Sequence, residues 1–349
     1  MRADAPVAPR TVPRSVEQVA NDDPRWQRFV SSEQPTLFQH PDWAALMHDA
    51  YGFPARVAMV LERGLVIGGL PYSEVDDFRG RRRIAGAFAD VCEPLGEGVW
   101  PDIERTLCED TVPWQIRSRC PPSALALERH ETAVHQAIDL PPDRDEALAF
   151  SRSRQRSEVR QALRAGVTLK RFDGEDAIDV FYPLHLRTRK EKHGLLPQPR
   201  SFFEALASRF FPARGFVLAA ELDGTVVGAQ LLLVCGDTLY YKFVASDRAS
   251  LQSRPNDFLL WSAIDTAAQM GLRRLDLGIA EAPSLIHFKR KYRATEQPVS
   301  SARYVSAARP AAADRMERSL TEFTRALAQA DVAQSITEAA AAELYRYFV

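Results

Sequence analysis

The order of apolar runs predicts an α/β fold: helices layered on a mixed sheet, built twice along the chain, with a helical tail. Three observations carry this. The second half runs strand, two helices, three antiparallel strands, helix, strand, helix, strand. The first half offers hairpin, strand, helix, strand in a similar but more eroded order. From Ala311 the chain becomes alanine-rich and amphipathic, which reads as one or two helices docked on the body.

Taken in order, PDWAALMHDAYG (41–52) has helical spacing. ARVAMVLE and LVIGGLPY flank Arg63-Gly64, a hairpin signal. RRIAGAFAD (82–90) reads as a strand, a helix is expected near 97–110, and WQIRS and TAVHQAIDL are further strands. The prolines and acids of PPDRDE (141–146) mark a boundary. Beyond it, VTLKRFD (167–173) is a strand, 175–192 a helix despite Pro183, and 200–211 a second helix. FVLAAELDG and TVVGAQLLLVC pair around Asp223-Gly224, and TLYYKFVAS follows Gly236-Asp237. A helix over 256–270, a strand at 273–278, a short helix over 283–292 and the strand VSSARYVS complete this half. The expected divisions are a flexible leader (1–20), two domains (21–145 and 146–310) and a helical tail (311–349).

Composition narrows the function classes. Of 349 residues, 46% are hydrophobic and 26% charged, and the net charge is −1, so any basic site must be local. The four cysteines form no CxxC pair, and His130 and His135 lack a third ligand nearby, so no metal site is expected. The leader MRADAPVAPRTVPRS has no apolar core of a secretory signal, and no stretch reaches the ~18 apolar residues of a membrane span. A cytoplasmic location is expected.

Five stretches, in order, carry a family likeness: FQHPDWAALMHDAYG, RSEVRQALRAGVTLKRFD, LHLRTRKEKHGLLPQPRSFF, RPNDFLLWSAI and DLGIAEAPSLIHFKRKY. Together they resemble GNAT acyltransferases of the Fem-type branch, which carry two GNAT-like mixed-sheet domains in tandem. The resemblance implies amide formation on an amine of a cell-envelope or polysaccharide precursor. It implies acyl-CoA or aminoacyl-tRNA as donor, and a small-molecule or lipid- or nucleotide-linked acceptor.

Several residues are candidates for that chemistry. The loop RASLQSRPN before the helix at 256 contains no glycine, where acyl-CoA-dependent relatives place a glycine-rich pyrophosphate loop. Arg254 and Asn256 could replace it, or simply begin a helix; Pro255 removes an N–H donor. Lys289 stands where many relatives carry a leaving-group tyrosine, and it could stabilise an oxyanion or, with a lowered pKa, act as acid. Arg152, Arg156, Arg160 and Arg164 fall four apart on one helix side, fit for a polyanion or for plain solvation. Arg189 and His193 share a helix face, with His193 a possible base for the attacking amine. Tyr241, Lys242 and Asp276 sit near strand ends, where α/β sheets bind ligands. In the first domain Asp90 and Arg81–Arg83 are polar but weakly marked. The competing reading is a non-catalytic module binding RNA or another polyanion through the arginine helix, and a third is peripheral membrane contact.

Overall fold

The computed structural model describes residues 13–119, 128–143, 146, 153–174, 176–304 and 310–349. Twelve strands form one sheet. In the first half these are β1 (Arg14–Ala20), β2 (Ala55–Glu62), β3 (Leu65–Asp77), β4 (Gly80–Ala85), β5 (Trp114–Ser118) and β6 (Glu128–Asp139). The second half supplies β7 (Thr168–Phe172), β8 (Gly215–Leu222), β9 (Thr225–Cys235), β10 (Thr238–Ser246), β11 (Arg274–Ala280) and β12 (Thr295–Tyr304). Each half repeats one pattern. β1 to β4 are antiparallel and β4 then runs parallel to β5; β7 to β10 are antiparallel and β10 then runs parallel to β11.

The halves then trade their last strands. The sheet order is β1-β2-β3-β4-β5-β12-β6-β11-β10-β9-β8-β7. β6 therefore lies against β11 of the second half, β12 lies against β5 of the first, and the two exchanged strands pair with each other. The backbone hydrogen bonds of the sheet centre thus join the two halves.

Turn chemistry explains the hairpins. Arg63-Gly64 and Asp223-Gly224 all have left-handed backbones, as the tight turns joining twisted antiparallel strands require. β8 and β9 are buried along nearly their whole length, because helices cover both faces of the sheet there. One face carries α4 (Ser153–Arg164) and α7 (Pro255–Gln269), which pack Val159, Phe258 and Leu259 on the sheet. The other carries α5 (Asp176–Arg187) and α6 (Arg200–Phe210) with Phe181, Phe202 and Phe203. That second core runs without a break into the first half, where Trp43 and Met47 of α2 (Pro41–Tyr51) join it. Arg214 and Arg209 form ion pairs with Asp42 and Asp49 of α2, and Leu37 N–H donates to the Tyr240 hydroxyl at 3.1 Å. α1 (Pro24–Ser32), α3 (Trp100–Glu109) and α8 (Pro283–Arg290) complete the body, and α9 (Ala313–Leu327) and α10 (Gln334–Leu344) form the tail.

Three expectations need correction. Residues from Arg14, expected in the flexible leader, form β1, held along its length by β2, and α1 follows. The strand expected over 82–90 stops at Ala85, because Gly86 turns left-handed and a Cβ there would meet Cys92 at 2.5 Å. The helix expected over 175–192 is α-helical only to Arg187 and continues as a π turn over Thr188–Lys192.

The strand exchange makes a direct prediction. Native-state hydrogen exchange should show β5 and β11 amides, one from each half, opening at the same free energy. If β5 opens several kcal/mol before β11, the exchange does not couple the halves.

Candidate functional site

The site begins where two parallel strands part. β10 and β11 pair only from Thr238/Arg274 to Tyr240/Asp276 and then separate. Both strands are irregular at this point. β10 carries a bulge between Tyr241 and Phe243, leaving Lys242 without a partner on β9, and β11 is irregular between Asp276 and Ile279 against β6. Gly278 lies in the β11 irregularity with φ +68, and a Cβ there would sit 3.0 Å from the Asp90 carboxylate. Only glycine lets that carboxylate approach so closely.

Asp90 comes from the first half, on the coil after β4. That coil is pinned by Trp43, whose indole N–H donates to Ala87 O at 3.0 Å, and by Arg117, which donates to Ala89 O at 3.4 Å. Asp90 Oδ2 accepts from Lys242 Nζ at 2.9 Å. The Lys242 ammonium also lies 4.7 Å from the Phe38 ring centroid and 5.2 Å from that of Trp43.

Behind this pair lies a second one. His135 Nε2 stands 3.0 Å from both Asp276 carboxylate oxygens, and Gly278 N–H donates to Asp276 Oδ1 at 2.8 Å. Burial alone would raise the Asp276 carboxyl, but the His135 hydrogen bond and charge and the Gly278 N–H outweigh it and hold it below the usual range. Lys289 of α8 is buried and donates to Leu277 O at 2.6 Å and Ile279 O at 3.3 Å, bracing the β11 irregularity. Burial pushes its ammonium down to about 8, against a pull upward from Asp90 and Asp276; Lys242 adds to the depression.

Asp90 and Lys242 open onto a cavity of about 540 Å³ between the halves. Its walls are aromatic, with Trp43, Phe88, Phe202 and Phe243, and charged, with Arg117, Arg189 and Glu281. A smaller pocket of about 260 Å³ lies at the far end of β10, lined by Arg187, Thr188, Lys192, Ser246 and Arg248 among others. The π turn makes this division: Arg189 faces the large cavity while Arg187 and Lys192 face the small one.

The residues expected from sequence fall into three groups. Arg189 and Lys242 line the cavity. Asp276 and Lys289 are buried beside it, each bound to protein groups, and they shape the site without lining it. The remainder lie elsewhere. His193 caps the π turn, and burial together with Lys192 and Arg189 lowers its imidazole pKa. The Tyr241 hydroxyl is buried, with a raised pKa, near Asp257. Arg156 and Arg160 are exposed on α4, and Arg152 lies outside the described residues. Sequence reasoning missed His135, read only as a stray histidine, and it undervalued Asp90. An ionisable residue beside the apolar Ala133, Val134, Ala137 and Ile138 of β6 was the available signal for His135.

The head of α7 answers the question its loop raises. Leu251–Ser253 form a 3₁₀ turn whose hydrogen bonds consume the Ser253 and Arg254 amides, Pro255 has no N–H, and the Asn256 side-chain Nδ2 donates to Ser246 Oγ at 3.3 Å. Asp257, in the first turn, is buried and titrates near 6, raised by burial despite the Tyr292 hydrogen bond. The helix head thus has no glycine-rich loop, two of its leading amides are spent within the turn, and a buried carboxyl occupies its first turn.

Repeated halves joined in one mixed sheet, with a splay between parallel strands in the second, are the arrangement of a tandem GNAT-like fold. Comparisons with known proteins agree. Residues 149–290 match the acetyltransferase (GNAT) domain family. The UDP-N-acetylmuramoylpentapeptide-lysine N(6)-alanyltransferase of Weissella viridescens is 23% identical over 157 residues, 43% of this chain and 45% of that protein. The match thus spans less than half of that relative. The crystal structure of FemX superposes with a TM-score of 0.63 at 15% identity, covering 88% of this chain and all of that one. The C-terminal domain of a putative lysylphosphatidylglycerol synthetase from Agrobacterium fabrum gives 0.53 at 16% identity, with 87% and 95% coverage. At these identities the solved structures speak for the fold. Among the described residues no three potential ligands gather for a metal, and no helix is long and apolar enough to cross a membrane.

Lys289 supplies a test of the buried cluster. Its folded pKa lies near 8 against 10.5 for an unburied lysine, so between those values the unfolded chain holds more protons. Stability therefore rises with pH across that window, by at most about 1.4 kcal/mol per unit from this group. Urea unfolding of wild type and Lys289→Met from pH 7.5 to 10.5 should show that rise in the wild type relative to the variant. Parallel pH curves would show that Lys289 is charged at no cost.

Proposed function

We propose that the protein is an N-acyltransferase that joins an activated acyl group to a primary amine of a cell-envelope or polysaccharide precursor. One observation carries the reading: a carboxylate from the first half, Asp90, meets the splayed strands of the second half at the wall of a cavity between them. An amine that enters as ammonium must lose a proton before it attacks. Asp90 is the group placed to take it. The amine nitrogen then bonds to the acyl carbon, the bond to the leaving oxygen or sulfur breaks, and the leaving group takes up a proton.

Lys242 is the cavity cation nearest Asp90, and its charge suits the oxyanion formed during attack. Lys289 and the Asp276–His135 pair act as positioning residues, holding the Gly278 turn against Asp90. Beyond Tyr240 the β11-facing edge of β10 lacks a strand partner, so it can receive an extended acyl donor.

The donor grip supports an aminoacyl ester, as on aminoacyl-tRNA, over acyl-CoA. The head of α7 lacks a phosphate cradle, whereas Arg187, Lys192 and Arg248 of the smaller pocket offer side-chain cations. Exposed Arg156 and Arg160 on α4 extend the basic surface, and Gln161 of α4 donates to Gln252 O at 3.3 Å, joining that helix to the loop before α7. The Weissella viridescens alanyltransferase is named for the lysine N(6) of a UDP-linked muramoyl pentapeptide, which supports a nucleotide-linked amine as the acceptor class.

Transfer should be assayed by mass spectrometry with alanyl-tRNA and acetyl-CoA as donors and lysine-bearing muropeptides as acceptors. Asp90→Asn is expected to lower kcat about 10²–10⁴-fold and to raise the KM for the amine while leaving the KM for the donor little changed. Wild-type kcat in Asp90→Asn would remove Asp90 from the mechanism. Doubling the salt should weaken alanyl-tRNA use much more than acetyl-CoA use, and Arg187→Ala with Arg248→Ala should reduce that salt dependence.

A further inference from the structure

The large cavity has a third wall that belongs to neither half. A short 3₁₀ turn, Tyr345–Phe348, follows α10 and folds back over the cavity, where Tyr345, Phe348 and Val349 line it. Its seating is specific. Arg79 donates to Tyr347 O at 2.6 Å and Arg82 to Val349 O at 3.1 Å, and both arginines are themselves held by Asp77 at the end of β3. The Tyr345 ring stacks at 6.3 Å from Tyr51 and 5.5 Å from Phe88, and Phe348 packs at 5.9 Å from Tyr345. On the other side α10 packs against α6, and Lys190 donates to Val332 O just before α10.

We propose that Tyr345 and Phe348 set how bulky an amine the cavity admits, so that this turn, and not the Asp90–Lys242 pair, selects the acceptor. This rests on the acyltransferase reading for the identity of the amine as acceptor, but the wall itself is a matter of binding. Three features carry the inference. Phe348 is 42% exposed, so its ring stands at the edge of the cavity between solvent and interior. The cavity's lining also includes the aromatic Trp43 and Phe202, and the Lys242 ammonium of the charged pair lies 5.2 Å from the Trp43 ring. A cavity so lined takes a primary amine on an apolar arm: the ammonium meets Asp90 and the ring faces, and the arm runs along the aromatic wall. The arm length tolerated is then a question of where Phe348 stands. Because the turn hangs on carbonyl contacts from Arg79 and Arg82, a change of side chain at Phe348 leaves its anchorage intact.

The test uses the full chain with Phe348→Ala and Phe348→Trp. Dansylcadaverine, a primary amine on a flexible arm with an aromatic end, is titrated by fluorescence with no donor present. Phe348→Ala should tighten its Kd about fivefold to tenfold and Phe348→Trp should weaken it by a similar factor, while Asp90→Asn weakens it in either background. In the transfer assay the same two variants should shift relative kcat/KM between ethylamine and phenyl-bearing amines in opposite directions, mainly through KM. Dansylcadaverine affinities equal within about twofold in all three proteins, with circular dichroism showing each folded, would overturn the proposal. So would a wild type that fails to bind the probe at millimolar concentration. Should Phe348→Ala not fold, the tryptophan variant alone decides. Transfer absent with every donor and acceptor, beside a probe affinity that follows residue 348, would sink the acyltransferase reading and leave the wall standing.

Discussion

Everything at the site depends on the exchange of β6 and β12. A strand in mid-sheet must satisfy hydrogen bonds on both edges. β11 meets β10 for only three residues on one side and has β6, a strand of the other half, on the other. The departure of β10 therefore leaves β11 held from the first half, and the chain at Leu277–Gly278 can bulge without loosening the sheet. His135 on β6 and Asp276 on β11 lock that junction, two side chains 141 positions apart in the chain. Were each half to keep its own last strand, the splay would be a feature of one domain. Exchange makes it a feature of the interface, where a residue from the first half can reach it.

The charges at this junction are arranged in compensation. Taking an ion from water costs several kcal/mol unless partners replace the solvent. Here the order from the interior outward is Asp276 with His135, then Lys289, then Asp90 with Lys242. Signs alternate, and backbone groups fill the gaps: Gly278 N–H on Asp276, and two carbonyls on Lys289. Lys289 is the least well compensated of these, since carbonyls offer dipoles and the carboxylates act at longer range, and the fall of its pKa to about 8 records that. A lysine so placed is a brace, tying α8 to both sides of the β11 irregularity.

Much of the second half was legible in sequence because its signals are local. Alternation, Asp-Gly turns and helical spacing act within a few residues, and 215–246 and 255–269 follow them closely. Asp276 stood out because it ends a strand, Arg189 because it shares a helix face with His193, and Lys289 because of its place in the family resemblance. What escaped was set by distance in the chain. β1 is mostly exposed on its edge and has few apolar residues, so its pairing with β2 left little pattern to read. His135 gains its meaning only from Asp276. Asp90 was hidden differently: the strand reading ran through it, and only the space between Gly86 and Cys92 shows that the strand must stop short. The tail was readable as helices, but no periodicity says that a turn after α10 will reach back to the β3–β4 hairpin.

The glycine-free loop at α7 now fits the rest. A glycine-rich loop grips phosphate with backbone amides, and that grip fixes the phosphate at one point on the helix axis. Here the amides close a 3₁₀ turn, and a carboxyl occupies the first helical turn. The cations nearby are instead side chains, with Arg187, Lys192 and Arg248 lining the neighbouring pocket. Side-chain cations on flexible stems hold a charge without fixing its path, which suits a donor whose phosphates belong to a long polymer more than one with a single pyrophosphate. The splay between β10 and β11 still needs only an extended acyl group to enter it. On the proposed reading, the head of α7 bears on what carries the acyl group, and the splay between β10 and β11 on where it would react.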